Sequence, residues 1–194
     1  MQKNPYENVI AVTNRSLCQR PFAEQIERVC SLHPKAVILR EKDLPEEEYS
    51  RLAEQILEIC KRYQVPCILH TYVNVAEKLH PYIHLPIFLL EKYEGKLGGF
   101  RQIGSSVHSV EDALKAESLG ADYLTAGHIY TTDCKKGLPP RGLEFLENVC
   151  KAVKIPVYAI GGIHPGTGFS RWMYYVRYDE DIVNKKPYFN NQTC

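Results

Sequence analysis

At 194 residues and a formal net charge of +1, the chain is long enough for one domain with a real core and too short for two comfortable ones. So even a charge balance makes no electrostatic case for a nucleic-acid or membrane partner, and no apolar run approaches the roughly 18 residues of a spanning helix. Met1-Gln2-Lys3-Asn4-Pro5 leads into no signal-like apolar stretch, so the expected location is the cytoplasm.

Short apolar runs alternate with amphipathic stretches along the chain. Asn8 to Val12 reads as a first strand, and Pro21 to Leu32 as a helix with Phe22, Ile26, Val29 and Cys30 on one face. Ala36 to Leu39 is a second strand that runs directly into Arg40-Glu41-Lys42-Asp43. Pro45 to Tyr63 predicts a long helix: proline suits its first turn, Glu46, Glu47 and Glu48 sit at its positive end, and Leu52, Ile56, Ile59 and Tyr63 line its buried face. A third strand, Pro66 to Leu69, exits at His70-Thr71 before a short helix from Val73 to Lys78. Tyr82 to Leu85 is a weaker fourth strand, and Pro86 to Gly98 has no clear pattern. Phe100 to Gly104 is the fifth strand, with Ser105, Ser106 and His108 at its mouth and a helix from Ser109 to Leu119 closed by Gly120. Asp122 to Ala126 is the sixth, a helix opens at Leu143, and Val157 to Ile160 is the seventh, ending in Gly161-Gly162-Ile163.

Seven such strands, most separated by a helix, predict parallel pairing through right-handed crossovers, as a barrel or a doubly wound sheet. Polar residues and glycines gather at nearly every strand's C-terminal end, the layout of a TIM-type (β/α) barrel whose active site lies on that rim. The seven cysteines, Cys18, Cys30, Cys60, Cys67, Cys134, Cys150 and Cys194, are odd in number and never spaced Cys-x-x-Cys. They read as reduced thiols rather than a disulfide framework or zinc site. Cys134, between Asp133 and Lys135, could be nucleophilic, although a packing or incidental thiol is the commoner use.

The loop from Gly127 to Gly142 carries the densest chemistry. His128 leaves the sixth strand with Thr131, Thr132, Lys135 and Lys136 behind it, a proton carrier beside cations that suits an anionic small molecule. A lone loop histidine is more often solvated or hydrogen-bonded than catalytic, and two lysines alone are most often a wet surface pair. His70, His84 and His108 also stand at strand exits, where buried imidazoles more often serve the frame.

Gly104-Ser105-Ser106-Val107-His108-Ser109, the Gly127 to Gly137 run, Arg141-Gly142 and Ile155 to Ile163, in this order, resemble the thiamin phosphate synthase and TenI superfamily. The Gly-His-Ile-Tyr…Asp-Cys-Lys-Lys-Gly run resembles TenI, the thiazole tautomerase. The likeness covers Val9 to Ile163 in layout. It implies a barrel that aromatises a carboxythiazole phosphate in thiamin biosynthesis, moving a proton from a ring carbon to an exocyclic alkene carbon, with no cofactor and no metal. The family's catalytic histidine falls on His128. Arg40 and Lys42 match its basic pair after the second strand, for the carboxylate or the ring; a surface Arg-Glu-Lys-Asp cluster is the competing reading. Ser106 and Lys135 match substrate contacts, Gly161 and Gly162 match half of the phosphate site, and we assign Thr132 to the same substrate-binding set. The implied partner is a small-molecule thiazole phosphate, with a homo-oligomer left open.

The sibling activity, thiamin phosphate synthase, couples a pyrimidine pyrophosphate to the thiazole phosphate and needs Mg2+. That family's third strand exits at Asn-Asp, where this chain has His70-Thr71, and no carboxylate occurs in Leu85 to Leu89. Magnesium wants hard oxygen donors, so the synthase is the second reading. Beyond Ile163 the likeness ends. Residues 164–194 are rich in aromatics, hold the chain's only tryptophan, Trp172, and show neither helical period nor apolar strand. The expected organisation is therefore a barrel domain over 1–163, its eighth βα unit replaced by an atypical tail over 164–194, with two open sheet edges. A truncated, non-catalytic remnant or phosphate-ligand-binding module is the third reading.

Overall fold

A computed structural model describes residues 4, 6–132, 135, 137–163 and 173–177. Its strands are β1 (Val9–Val12), β2 (Ala36–Leu39), β3 (Cys67–His70), β4 (Tyr82–Pro86), β5 (Gln102–Val107), β6 (Tyr123–Gly127), β7 (Val157–Ile160) and β8 (Met173–Arg177). The helices are α1 (Phe22–Cys30), α2 (Glu46–Arg62), α3 (Val73–Leu79), α4 (Ile87–Lys92), α5 (Val110–Ser118) and α6 (Gly142–Ala152). The strands close in sequence order, and β1 to β7 are parallel throughout. Seven parallel strands alternating with helices form the TIM-type architecture that the strand pattern predicts.

The expectation of two open edges is corrected. β8, from inside the aromatic-rich tail, pairs antiparallel with both β1 and β7, Val176 opposite Val9 on one side and Ala159 on the other. The run Met-Tyr-Tyr-Val-Arg lacks the aliphatic character of the other strands, which is why apolarity alone does not mark it; β-propensity for Tyr and Val does.

Two apolar layers hold the barrel. Inside the cylinder Ile10, Val12, Ala36, Ile38, Ile68, Tyr123 and Tyr158 form one cluster, and the outward faces of the strands meet the helices in a second, larger one. α2 shows why the helices seat where they do. Glu46, Glu47 and Glu48 lie at its positive end and Lys61 and Arg62 at its negative end, while Tyr49, Ala53, Ile56 and Cys60 are buried at helical spacing. The Tyr49 hydroxyl donates to Leu39 O at 2.8 Å and accepts from His70 N–H at 2.9 Å, tying α2 to the ends of β2 and β3.

Two elements differ from the sequence pattern. α4 occupies part of the stretch that carries no clear period; six residues are too few for one to show. β5 runs three residues past Gly104, because that glycine belongs inside a strand: a Cβ there would sit 2.2 Å from Tyr123 Cζ and 2.5 Å from His84 Nδ1. Gly104 is the space into which two larger side chains fit.

Candidate active site

Because β1 to β7 are parallel, their C-terminal ends define one rim. Arg40 and Lys42 follow β2, Ser106 lies near the end of β5, His128 follows β6 directly, and Gly161 and Gly162 follow β7. Thr132 and Lys135 lie in the loop from β6 to α6, Thr132 half-buried and Lys135 exposed. Ser106 lies within β5, one residue before its end.

The loop carrying His128 is clamped by β7. Ile129 N–H donates to Ile160 O and Tyr130 N–H to Gly161 O, each at 2.9 Å, while Arg141 N–H returns to His128 O at 3.0 Å. Gly161, at φ +94°, leaves no room for a side chain: a Cβ would lie 2.4 Å from the Cβ of His128. His128 is buried, with its Nε2 3.4 Å from Leu138 O. The glycine pair, expected as half of a phosphate site, thus also fixes the backbone that presents the imidazole. His108 braces the loop from β5, its Nδ1 2.7 Å from Gly127 O. Burial lowers its pKa, the bond to Gly127 opposes this, and Lys135 and Arg141 lower it further. Lys135 is therefore within electrostatic reach of this part of the rim.

Beneath the rim lies a polar ladder. His84 Nδ1 is 3.0 Å from the Tyr123 hydroxyl and its Nε2 2.8 Å from Ser106 Oγ, with Thr125 donating to Ser106 Oγ at 3.1 Å. His70 stacks on His84 at 5.5 Å between ring centroids, and its Nδ1 is 2.5 Å from Thr71 Oγ1. Burial, then Arg40, pushes the His84 pKa down to about 3. Burial, then His84, Arg40 and Lys42, holds His70 well below the ordinary imidazole value. Both rings are held in the neutral form at physiological pH. In the sequence Tyr123 and Thr125 read as members of a buried apolar run. The signal that distinguishes them is period 2: Tyr123, Thr125 and Gly127 share the inward face of β6.

Arg40 is half-buried and Lys42 exposed, and the acids beside them in the sequence are engaged elsewhere. Glu41 is buried, accepting from Thr13 Oγ1 at 2.6 Å and from Arg15 N–H at 3.1 Å, and Arg15 also pairs with Asp43 at 2.7 Å. Burial raises the Glu41 carboxyl pKa, while the bonds from Thr13 and Arg15 oppose the rise. The acids of the cluster are taken by β1's exit, and Arg40 and Lys42 have no ion pair among the described residues.

No group of three or more His, Cys, Asp and Glu among the described residues could hold a metal ion. At the β3 exit the donors are a buried imidazole and a threonine hydroxyl bonded to each other, a set unsuited to Mg2+. Cys30, Cys60 and Cys67 are buried free thiols, Cys30 and Cys60 with sulfurs 3.7 Å apart, as the packing reading expects; Cys134 and Cys194 lie outside the described residues. No helix among the described residues is long and apolar enough to cross a membrane.

A family model described as thiamine monophosphate synthase, TMP-TENI, matches residues 9–168. The chain belongs to this family. Membership makes it an enzyme-family barrel of thiamine biosynthesis. Among TMP-TENI relatives, a thiamine-phosphate synthase of Caldanaerobacter subterraneus subsp. tengcongensis is 34% identical over 161 residues, covering 79% of this chain and 74% of that protein. A thiamine-phosphate synthase 2 of Streptococcus pneumoniae serotype 4 is 37% identical over 148 residues, 73% of this chain and 69% of that one. A solved thiamine phosphate pyrophosphorylase from Pyrococcus furiosus aligns with a TM-score of 0.66 at 31% identity, covering 80% of this chain and 75% of its own. At 16% identity and a TM-score of 0.53, an N-acetylmannosamine-6-phosphate 2-epimerase from Clostridium perfringens shares the fold, with 77% and 73% covered.

Proposed function

We propose that this TMP-TENI protein is a thiazole tautomerase acting on a carboxythiazole phosphate. The observation that carries the reading is His128: buried, at the exit of β6, its main chain wedged against Gly161, and on the rim that also bears Arg40 and Lys42. An imidazole so held can take a proton from the ring carbon. As that C–H bond breaks, its electron pair enters the ring and the exocyclic alkene carbon accepts the proton back from the imidazolium, so nothing is oxidised or reduced. Arg40 and Lys42, without an ion pair among the described residues, supply cations for the substrate carboxylate; Ser106, Thr132, Lys135, Gly161 and Gly162 supply hydroxyl, ammonium and amide partners for its remaining polar atoms.

The names of the relatives favour a second reading, thiamine-phosphate synthase. The donor set at the β3 exit weighs against it, since a synthase of that kind would need hard oxygen ligands where His70 and Thr71 stand. Two assays separate the readings: tautomer aromatisation followed spectroscopically without added metal, and thiamin phosphate formation with Mg2+. The tautomerase reading expects the first activity, falling ~10²–10⁴-fold in His128→Ala. Metal-dependent coupling, or a tautomerase rate indifferent to that substitution, would overturn it.

A further inference from the structure

The His84 ring lies two residues' height below the rim, on the barrel axis side, and the tautomerase chemistry does not use it. It touches Tyr123 through Nδ1, and through Nε2 it meets Ser106 at 2.8 Å and, more distantly, Thr125 at 3.3 Å, while the Thr125 hydroxyl donates to the same Ser106 oxygen. A neutral imidazole has one N–H and one bare nitrogen, so which nitrogen carries the proton decides what Ser106 can do.

A phenol is the better donor of the two groups, so in our assignment the Tyr123 O–H points at Nδ1 and the imidazole proton rests on Nε2. The Nε2–H then donates to Ser106 Oγ alongside the Thr125 hydroxyl. Both lone pairs of that oxygen are filled, and its own hydrogen must point elsewhere. Ser106 is half-buried while His84, Thr125 and Tyr123 are buried, so the direction left for that hydrogen is the accessible side of Ser106. We propose that His84 is a positioning residue: through Ser106 it commits that hydroxyl to act as a hydrogen-bond donor toward a lone pair of the bound ligand, an anionic oxygen or a ring nitrogen. Gly104, by leaving room for Tyr123 and His84 over its Cα, makes the stack fit. Burial first and the Arg40 charge second keep His84 from taking a second proton, which would leave Nδ1 unable to accept from Tyr123, while His70 from β3 stacks on the ring.

The proposal rests on the tautomerase reading only for the ligand's identity. Ring-nitrogen NMR of ¹⁵N-labelled protein tests it without activity: His84 is expected bare at Nδ1 and protonated at Nε2 from about pH 5 to about pH 8, and the opposite tautomer overturns it. Kinetics on the carboxythiazole tautomer, or calorimetric binding of the carboxythiazole phosphate product, supply the second test. Ser106→Ala and His84→Asn, whose amide replaces Nδ1 but cannot reach Ser106, should each weaken kcat/KM or binding roughly 10- to 100-fold. His84→Gln, whose amide N–H reaches the place of Nε2, should recover the loss to within about threefold. The double variant Ser106→Ala/His84→Asn should be no weaker than Ser106→Ala alone, and independent losses in the two overturn the proposal. If the tautomer is not turned over, the tautomerase reading fails, while the tautomeric state and the binding cycle still decide the role of His84.

Discussion

Gly161→Ala tests the coupling between the β7 exit and the imidazole of His128. Gly161 has φ +94°, and an alanine Cβ would lie 2.4 Å from the Cβ and 2.8 Å from the Cα of His128. Adopting a left-handed backbone with a Cβ costs about 1–2 kcal/mol. The overlap adds about 1–3 kcal/mol, because the opposing atoms are backbone and Cβ rather than the end of a flexible side chain. A total of about 2–5 kcal/mol is a large share of a domain's usual ~5–15 kcal/mol. If the structure relaxes by moving the His128 loop instead, the imidazole shifts by some fraction of an ångström, and a displacement of about 1 Å costs catalysis ~10²-fold. Gly95→Ala is the control: φ is +72° but nothing lies within 4 Å of its Cβ, so it carries the backbone cost alone. Urea unfolding of both variants, with turnover measured alongside, separates the overlap from the dihedral. A Gly161→Ala protein no less stable than Gly95→Ala and with unaltered kcat would refute the wedge between β7 and His128.

The depressed histidines set an acid limit on stability. The unfolded chain binds protons near pH 6.5, whereas folded His84 does so only at about 3, so the stability these rings contribute is complete above 6.5 and is lost as pH falls through that window. Each such histidine should cost about 1.4 kcal/mol per pH unit there, and the urea midpoint of His84→Gln should fall less steeply than that of the unaltered protein; parallel slopes would contradict a neutral His84. Proline at Val176, whose main chain pairs with both Val9 and Ala159, should destabilise the barrel by about 3 kcal/mol or more, and an unchanged midpoint would argue that β8 is not part of the sheet.

Much of this barrel is legible because burial imposes simple periods. Ala36 to Leu39 and Val157 to Ile160 are continuous apolar runs covered on the outside by helices, and α2 shows its face through Ile56 and Ile59. The position of candidate residues on the rim is legible where polar residues follow a strand directly, as at His128 after β6 and Arg40 after β2. It is not legible where a polar residue's meaning depends on what stands opposite. His84 and Ser106 are 22 positions apart, and nothing local to either shows that Nε2 and Oγ meet at 2.8 Å. Glu41, one residue from Arg40, reads as its ion partner in one dimension. In three, the alternation of the extended chain sends the carboxylate outward to Thr13 and Arg15 while Arg40 acts on the interior imidazoles.

The direction of β8 bears on where an anion can be held. In an all-parallel barrel the loop after the eighth strand opens onto the active rim and shares phosphate binding with the loop after the seventh. Here Met173 pairs with Val12, at the rim end of β1, and Val176 with Val9, at the far end. β8 therefore begins at the active rim and ends, at Arg177, beside the opposite one. The C-terminal end of β8 thus lies away from the rim that carries His128. Among the described residues, the candidate partners for a phosphate bound next to that imidazole are the β7 exit and Arg40, Lys42, Ser106, Thr132 and Lys135.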